Sequence, residues 1–266
     1  MFAAPRTRAH QFRSANGSTV NERTQPRFAV GVPARDEEQL VGESIESLLA
    51  AADELDDPES AHIVIACDSC TDATPRIANA FARRDARITV VEGTWRSAGA
   101  CRAAAIDRAL TRARVDGALD DVWVATTDAD TVVPGDWLTS QALFWSRGDH
   151  AVAGVVDLHE ADHDVRSAFT RHYVLGHDSH GHVHGANLGI RADAYLSVGG
   201  FPPVTTAEDH VLWHELRAAG FICRSSVALR VATSPRLIGR AVAGFADHLH
   251  NLMALPAAGA DAAATA

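Results

Sequence analysis

Asp121-Val122-Trp123-Val124-Ala125-Thr126-Thr127-Asp128-Ala129-Asp130 is an apolar run that ends in two carboxylates. A short run of β-branched and aromatic residues without alternation reads as a strand buried on both faces, here opening into a loop. Three earlier stretches have the same character: Phe28–Ala34 (FAVGVPA), His62–Cys67 (HIVIAC) and Ile88–Gly93 (ITVVEG). Helical patterns separate them. The first has an acidic start at Asp36, Glu37 and Glu38, with Leu40, Ile45, Leu48 and Leu49 on one face. The second runs from Pro75 to about Arg84, with proline in its first turn, and the third from Ala98 to Arg114. Strand and helix in strict alternation predict an α/β fold, a mostly parallel central sheet with helices on both faces. Ligands in such sheets bind beyond the carboxyl ends of the strands, where Pro33, Asp68 and Asp128 all fall.

Farther along, Ala151–Leu158 (AVAGVVDL) reads as another strand. Gly176–Gly185 is rich in His and Gly, and His210–Gly220 reads as an amphipathic helix stopped by glycine. Residues 1–26 lack apolar periodicity and read as a flexible arm, and the Ala-rich 256–266 as a flexible tail. A single domain over 27–255 is the expectation. The stretch Ser234–Leu252 (SPRLIGRAVAGFADHLHNL) is mildly basic and amphipathic; it reads either as a helix packed on the sheet or as a contact for a membrane surface or partner.

Composition narrows the function classes. A formal charge of −10, from 34 acidic and 24 basic side chains, argues against a protein that wraps nucleic-acid phosphates. A phosphate-bearing ligand would need local devices: a divalent cation, an arginine or backbone amides. Four cysteines in 266 residues are too few for a disulfide scaffold. There is no apolar run long enough to span a bilayer and no signal-peptide pattern, so the expectation is a cytoplasmic protein without a transmembrane segment.

Asp128 and Asp130, one residue apart at the mouth of a strand, can offer hard oxygen ligands to Mn²⁺ or Mg²⁺ while one also reaches a ribose hydroxyl. On spacing alone the same residues also read as a polar turn. Cys67 and Cys70 form an isolated CxxC, with no second pair to complete a zinc site. Alternation of His180, His182 and His184 could bring imidazoles together near a metal, although loop polarity explains them equally.

Taken in order, VPARDEE, ACDSCTDAT, GACRAAAI, TTDADT, GANLGIRADAYLSVGGF and TAEDHVL resemble the motif series of glycosyltransferase family 2, over about residues 28–232. The resemblance implies a GT-A fold and transfer of a sugar from a nucleotide-diphosphate sugar. It places Pro33, Arg35 and Glu37 against base and ribose, although the family usually has Asn where this chain has Asp36. Asp68 would accept a hydrogen bond from the base, and the CxxC would belong to the same loop. Arg102 would touch base or phosphates, its alternative being a solvated helix arginine, and Asp128 would bind ribose or metal. Asp130 would bind the metal, with His184 as a further ligand in the manner of some GT-A enzymes. Gly185, Ala186 and Asn187 match the segment that lines the donor sugar. Asp209 matches the catalytic base of inverting members, with Glu208 binding the acceptor or orienting the base; as bland alternatives the pair caps a helix.

These resemblances imply a metal-dependent, inverting transferase acting on a UDP- or GDP-sugar, with a glycan, lipid or small-molecule acceptor. The Gln-x-x-Arg-Trp segment and membrane helices of processive members are not visible, so one sugar per encounter is expected. A rival is an inactive sugar-nucleotide-binding homologue acting as a scaffold, against which stands the presence together of Asp128, Asp130 and Asp209. A nucleotidyltransferase would carry a basic glycine-rich loop where this chain has ARDEE, and a dinucleotide oxidoreductase would carry GxGxxG.

Overall fold

The computed structural model of the protein describes residues 25–114, 119–236 and 249–250. The expected arm at 1–26, apart from residues 25 and 26, lies outside the described residues. So do the expected tail at 256–266 and most of the amphipathic stretch from 237 onward.

Among the described residues the main elements follow in the order β1 (Arg27–Ala34), α1 (Val41–Asp53), β2 (Ala61–Asp68), α2 (Thr74–Ala82), β3 (Ile88–Gly93), α3 (Ala98–Ala113), β4 (Val122–Thr126), β5 (Thr131–Val132), α4 (Trp137–Ser146), β6 (Ala151–Leu158), α5 (His163–His172), β7 (Leu188–Arg191), α6 (Ala192–Ser197), α7 (Glu208–Ala218) and β8 (Cys223–Thr233). They form one sheet of order β3-β2-β1-β4-β7-β6-β8-β5. Strands β3, β2, β1 and β4 are mutually parallel. The second half departs from that rule: β7 is antiparallel to both β4 and β6, and β8 is parallel to β6.

Apolar runs without alternation are used on both faces. Phe28, Val30 and Val32 of β1 point into a core with Ile45 and Leu48 of α1 and Trp137 and Leu138 of α4. Ala29 of β1 and Val64 of β2 point the other way, into a core with Ile106 and Leu110 of α3, Tyr195 of α6 and Leu216 of α7. Successive strand residues face opposite sides, so each strand feeds both layers. The α3 helix lies hard against β1 because residue 31 is glycine: a Cβ there would come within 2.6 Å of Ile106 Cγ1. That closeness places the first turns of α3 beside the carboxyl ends of β1 and β4.

One expectation is corrected here. Asp36, Glu37 and Glu38 are not the first turn of a helix, which begins at Val41, and Leu40 is its half-buried flanking residue. Asp36 sits at φ 53°, and its carboxylate accepts from the Thr71 N–H at 2.6 Å. Glu38 accepts from the Ala73 N–H at 2.9 Å. These side chains satisfy the loop after β2, a demand that helical periodicity does not encode. The short β5 and the long β8, which pair with each other, were not singled out by the sequence; β8 is half-exposed and its apolar alternation is weak. No helix among the described residues is long and apolar enough to cross a membrane.

Candidate active site

Strands β1, β2, β4 and β6 end along the same edge of the sheet, and the charged residues of five separate segments meet there. After β4 the chain turns through Thr127, Asp128, Ala129 and Asp130, closed by the Thr131 N–H donating to the Asp128 carbonyl at 3.1 Å. The turn is pinned from both sides, by Ser44 Oγ on the Asp128 carbonyl and by the Ser234 N–H on the Asp130 carbonyl. Polar turn and carboxylate pair are therefore the same object: fixing the backbone fixes where the two carboxylates point.

Each carboxylate carries its own guanidinium. Arg102, on the first turns of α3, is 4% exposed, and its Nη2 lies 2.9 Å from Asp128 Oδ1 and 3.5 Å from Glu208 Oε1. Its Nη1 donates to Thr126 Oγ1, Thr127 O and Gly185 O at 2.9, 3.3 and 3.0 Å. Arg102 is thus an internal cation that ties β4, α7 and the turn before β7 together, not a solvated helix arginine. Burial works against its charge, but the Asp128 and Glu208 carboxylates outweigh that and hold the guanidinium above its ordinary value. Burial likewise pushes the Glu208 carboxyl up, with Arg102 opposing.

The second guanidinium belongs to Arg236. It spans Glu37 at 2.7 Å and Asp130 at 2.8 Å, both carboxylates being nearly buried. Burial pushes the Asp130 carboxyl up to about 7, against the pull of Arg236. Sequence reading missed Arg236. It follows the last strand in Ser234-Pro235-Arg236 with no periodic or motif signal, and only the fold brings it across the chain to Glu37.

Asp209 is half-buried in the first turn of α7; its Oδ2 accepts from the Gly185 N–H at 2.8 Å and its Oδ1 from the His210 N–H at 2.8 Å. Glu208 beside it is buried. Ala207, just before the helix, is held in the left-handed region at φ 59°, a local strain that the surrounding contacts sustain. Pro33 is half-buried and Arg35 exposed at the same edge.

Several residues expected at a ligand are spent inside the protein. Asn187 is completely buried; its Nδ2 donates to the Val155 and Leu229 carbonyls, and its Oδ1 accepts from Trp137 Nε1 at 3.0 Å. Gly185 is small because Arg102 lies against it: a Cβ there would be 2.6 Å from Nη2. Ala186 is buried in the core next to α4 and α1. All three are buried beneath the edge, with the Asn187 side chain engaged by internal partners. The carboxylate of Asp68, expected to read a base, accepts from the backbone N–H groups of Trp95 and Arg96 at 2.8 and 3.0 Å and fixes the loop after β3.

The histidines stack into a ladder. His182 lies 4.0 Å from Tyr173, and His180 and His184 each 5.9 Å from His182, by ring centroids. Their Nε2 atoms are engaged by the Ala153 carbonyl, the Val174 carbonyl and, for His184, the Tyr173 hydroxyl at 3.0 Å. His184, expected as a further metal ligand, has its Nε2 against the Tyr173 hydroxyl, and among the described residues neither it nor Glu37 closes a three-ligand group with Asp128 and Asp130. The group that does close is Asp36, Cys70 and Asp72, where Asp36 is already satisfied by Thr71 and burial pushes the Cys70 thiol up, away from the thiolate a metal prefers. Cys67 is buried and its thiol is likewise pushed up by burial. All four cysteines are free thiols.

The chemistry of the donor set fits a hard divalent cation. Asp128, Asp130 and Glu37 offer carboxylate oxygens and no sulfur, and Asp128 keeps about a third of its side chain exposed. Two buried polar atoms at this edge, Thr127 Oγ1 and Arg102 Nε, have no hydrogen-bond partner among the described residues. An unmet buried polar atom costs about 1–3 kcal/mol, so Thr127 Oγ1 and Arg102 Nε each gain from a further hydrogen-bonding partner.

The model of glycosyl transferase family 2 matches residues 29–195. Among solved structures, a mannosyltransferase from Pyrobaculum calidifontis, in complex with GDP-Man and Mn²⁺, aligns with a TM-score of 0.57 at 20% identity over 81% of this chain. The chain spans only 58% of that protein. TarS of S. aureus, residues 1–349 in complex with UDP, aligns with a TM-score of 0.57 at 14% identity over 86% of this chain and 70% of that one. At these identities the likeness is one of fold. No curated protein sequence matches the chain.

Proposed function

The chain belongs to glycosyl transferase family 2, and on that premise we propose that it transfers a sugar from a UDP- or GDP-sugar to an acceptor hydroxyl, with inversion and one sugar per encounter. The observation that carries this is the buried Arg102, which holds the Asp128 carboxylate on one side and Glu208 on the other, so that the two acidic pairs flank one edge of the sheet. The solved structures of similar fold bind GDP-Man with Mn²⁺ and UDP respectively, which supports a pyrimidine or guanine nucleotide and a divalent cation here.

A Mn²⁺ or Mg²⁺ ion, held by Asp130 and Asp128, would neutralise the charge that develops on the departing diphosphate. The rest falls to the protein. The Asp209 carboxylate takes the proton from the acceptor hydroxyl as the acceptor oxygen bonds to the anomeric carbon and the bond from that carbon to the diphosphate breaks. Glu208 and the Gly185 N–H orient Asp209 and the acceptor. A single displacement forms no covalent enzyme intermediate and requires no nucleophilic Ser or Cys. Pro33, Arg35 and the loop clamped by Asp68 form the nucleotide wall of the cleft.

The test is thermal unfolding of the full chain with nucleoside diphosphates at millimolar concentration, each with and without Mn²⁺. A ligand that binds only the folded state raises Tm, by RT ln(1 + [L]/Kd) in free energy, about 2.7 kcal/mol at a hundredfold excess over Kd. A Mn²⁺-dependent rise with UDP or GDP is expected. No rise with any nucleotide would remove the donor-site reading and favour a scaffold.

A further inference from the structure

On the premise of a divalent cation site at Asp128 and Asp130, we infer that Arg236 is the resting occupant of that site and that its guanidinium and the cation compete for Asp130. Three observations converge. Arg236 lies 2.7 Å from Glu37 and 2.8 Å from Asp130, so one positive fork joins two nearly buried carboxylates. It follows the end of β8, two residues after Ser234, whose N–H is bonded to the Asp130 carbonyl; the same connection that fixes the aspartate turn therefore delivers the arginine. A cavity of about 240 Å³ is lined by Asp130 together with Glu43, His159, Ser234 and Pro235, so Asp130 has open space on one side.

The energetic logic is substitution of one cation for another. Two carboxylates close together at low exposure repel one another, and a guanidinium between them offsets that repulsion without any metal. When the cation arrives it must take Asp130 from Arg236, and the released guanidinium, carrying its charge beside the nucleotide cleft, becomes free to pair with phosphate oxygens. Asp128 differs: its partner Arg102 is locked by three further acceptors and is not exchangeable. Cation entry is therefore gated at Asp130 alone.

The experiment is direct titration with Mn²⁺ alone, without nucleotide, of the full chain, read by electron paramagnetic resonance of the free ion. Arg236→Gln is expected to bind Mn²⁺ at least about tenfold more tightly than the unaltered protein, since it removes both a competitor and a positive charge within 3 Å of a ligand oxygen. Arg224→Gln removes an equal charge from an exposed position paired with Asp149 and should change Mn²⁺ affinity less than about twofold. Asp130→Asn in the Arg236→Gln background should abolish the gain. Equal Mn²⁺ affinity in Arg236→Gln and the unaltered protein, or weaker affinity in the variant, overturns the competition. If neither protein binds Mn²⁺, the cation site itself is lost and the competition with it.

Discussion

The Asp209 carboxylate is bonded at 2.8 Å to the backbone N–H of Gly185, the residue whose carbonyl receives Arg102 at 3.0 Å. A single glycine thus couples the first turn of α7, the turn before β7 and the buried guanidinium behind the aspartate pair. The aim of Asp209 is set by a backbone group rather than by another flexible side chain, which lowers the entropic cost of keeping a base in place.

Asp209→Asn keeps the shape of the side chain but turns one of its two acceptor oxygens into an NH2 that faces a backbone N–H, best tolerated on the His210 side with the Gly185 bond retained, and it removes the capacity to accept a proton. Donor binding, read as nucleotide-induced stabilisation, should be preserved, while kcat should fall by about 10²–10⁴. Turnover at the unaltered rate would remove Asp209 as the base.

Gly185→Ala is predicted to be costly although the change is one methyl group. Its Cβ would lie 2.6 Å from Arg102 Nη2 and 2.8 Å from Cζ, and that guanidinium is held in place through both of its Nη atoms. Overpacking of this kind costs about 1–3 kcal/mol, measurable by urea unfolding, and transfer should fall more than stability because Asp209 and Asp128 both lose their registration. Stability and turnover both unchanged would show that Arg102 is not held as tightly as its contacts imply.

Away from the site, Arg87 is nearly buried and joins Asp85 and Asp53, pinning the end of α1 to the approach to β3. The hydrogen bonds from Arg87 hold the Asp85 carboxyl below its ordinary value despite some burial. A carboxylate with a lowered folded-state pKa contributes stability that is present above its unfolded value, near 4, and is lost as pH falls through the folded value. Arg87→Gln should therefore cost about 1–3 kcal/mol at pH 7, and the gap to the unaltered protein should narrow steadily in urea unfolding from pH 5 to pH 3. A gap that stays constant with pH would show that Arg87 acts by packing alone.

Much of the first half was legible from local pattern. FAVGVPA, HIVIAC and DVWVAT are continuous apolar runs because both faces of their strands are covered, and the intervening helical patterns force the parallel order of β3, β2, β1 and β4. The edge where Asp128, Asp130, Glu208 and Asp209 gather follows from that order together with the motif series. In the histidine run, alternation predicts side-chain proximity, which occurs, but not which partners the ring nitrogens meet.

What the sequence determined by itself is what short-range periodicity and punctuation can carry: strand and helix identity, the two-sided core, and the ends of strands where carboxylates collect. Only the tertiary structure decided what each of those carboxylates faces. Arg102 reaches Asp128 and Glu208 because Gly31 lets α3 press on β1, and Arg236 reaches Glu37 across 199 positions of the chain because β8 returns beside β6. Asn187, polar and beside a glycine-rich turn, looks like a ligand residue in one dimension and is an interior strut in three. Periodicity is a property of neighbours along the chain; pairing of charges and saturation of hydrogen bonds depend on distances through space, which become defined only when the layers have closed.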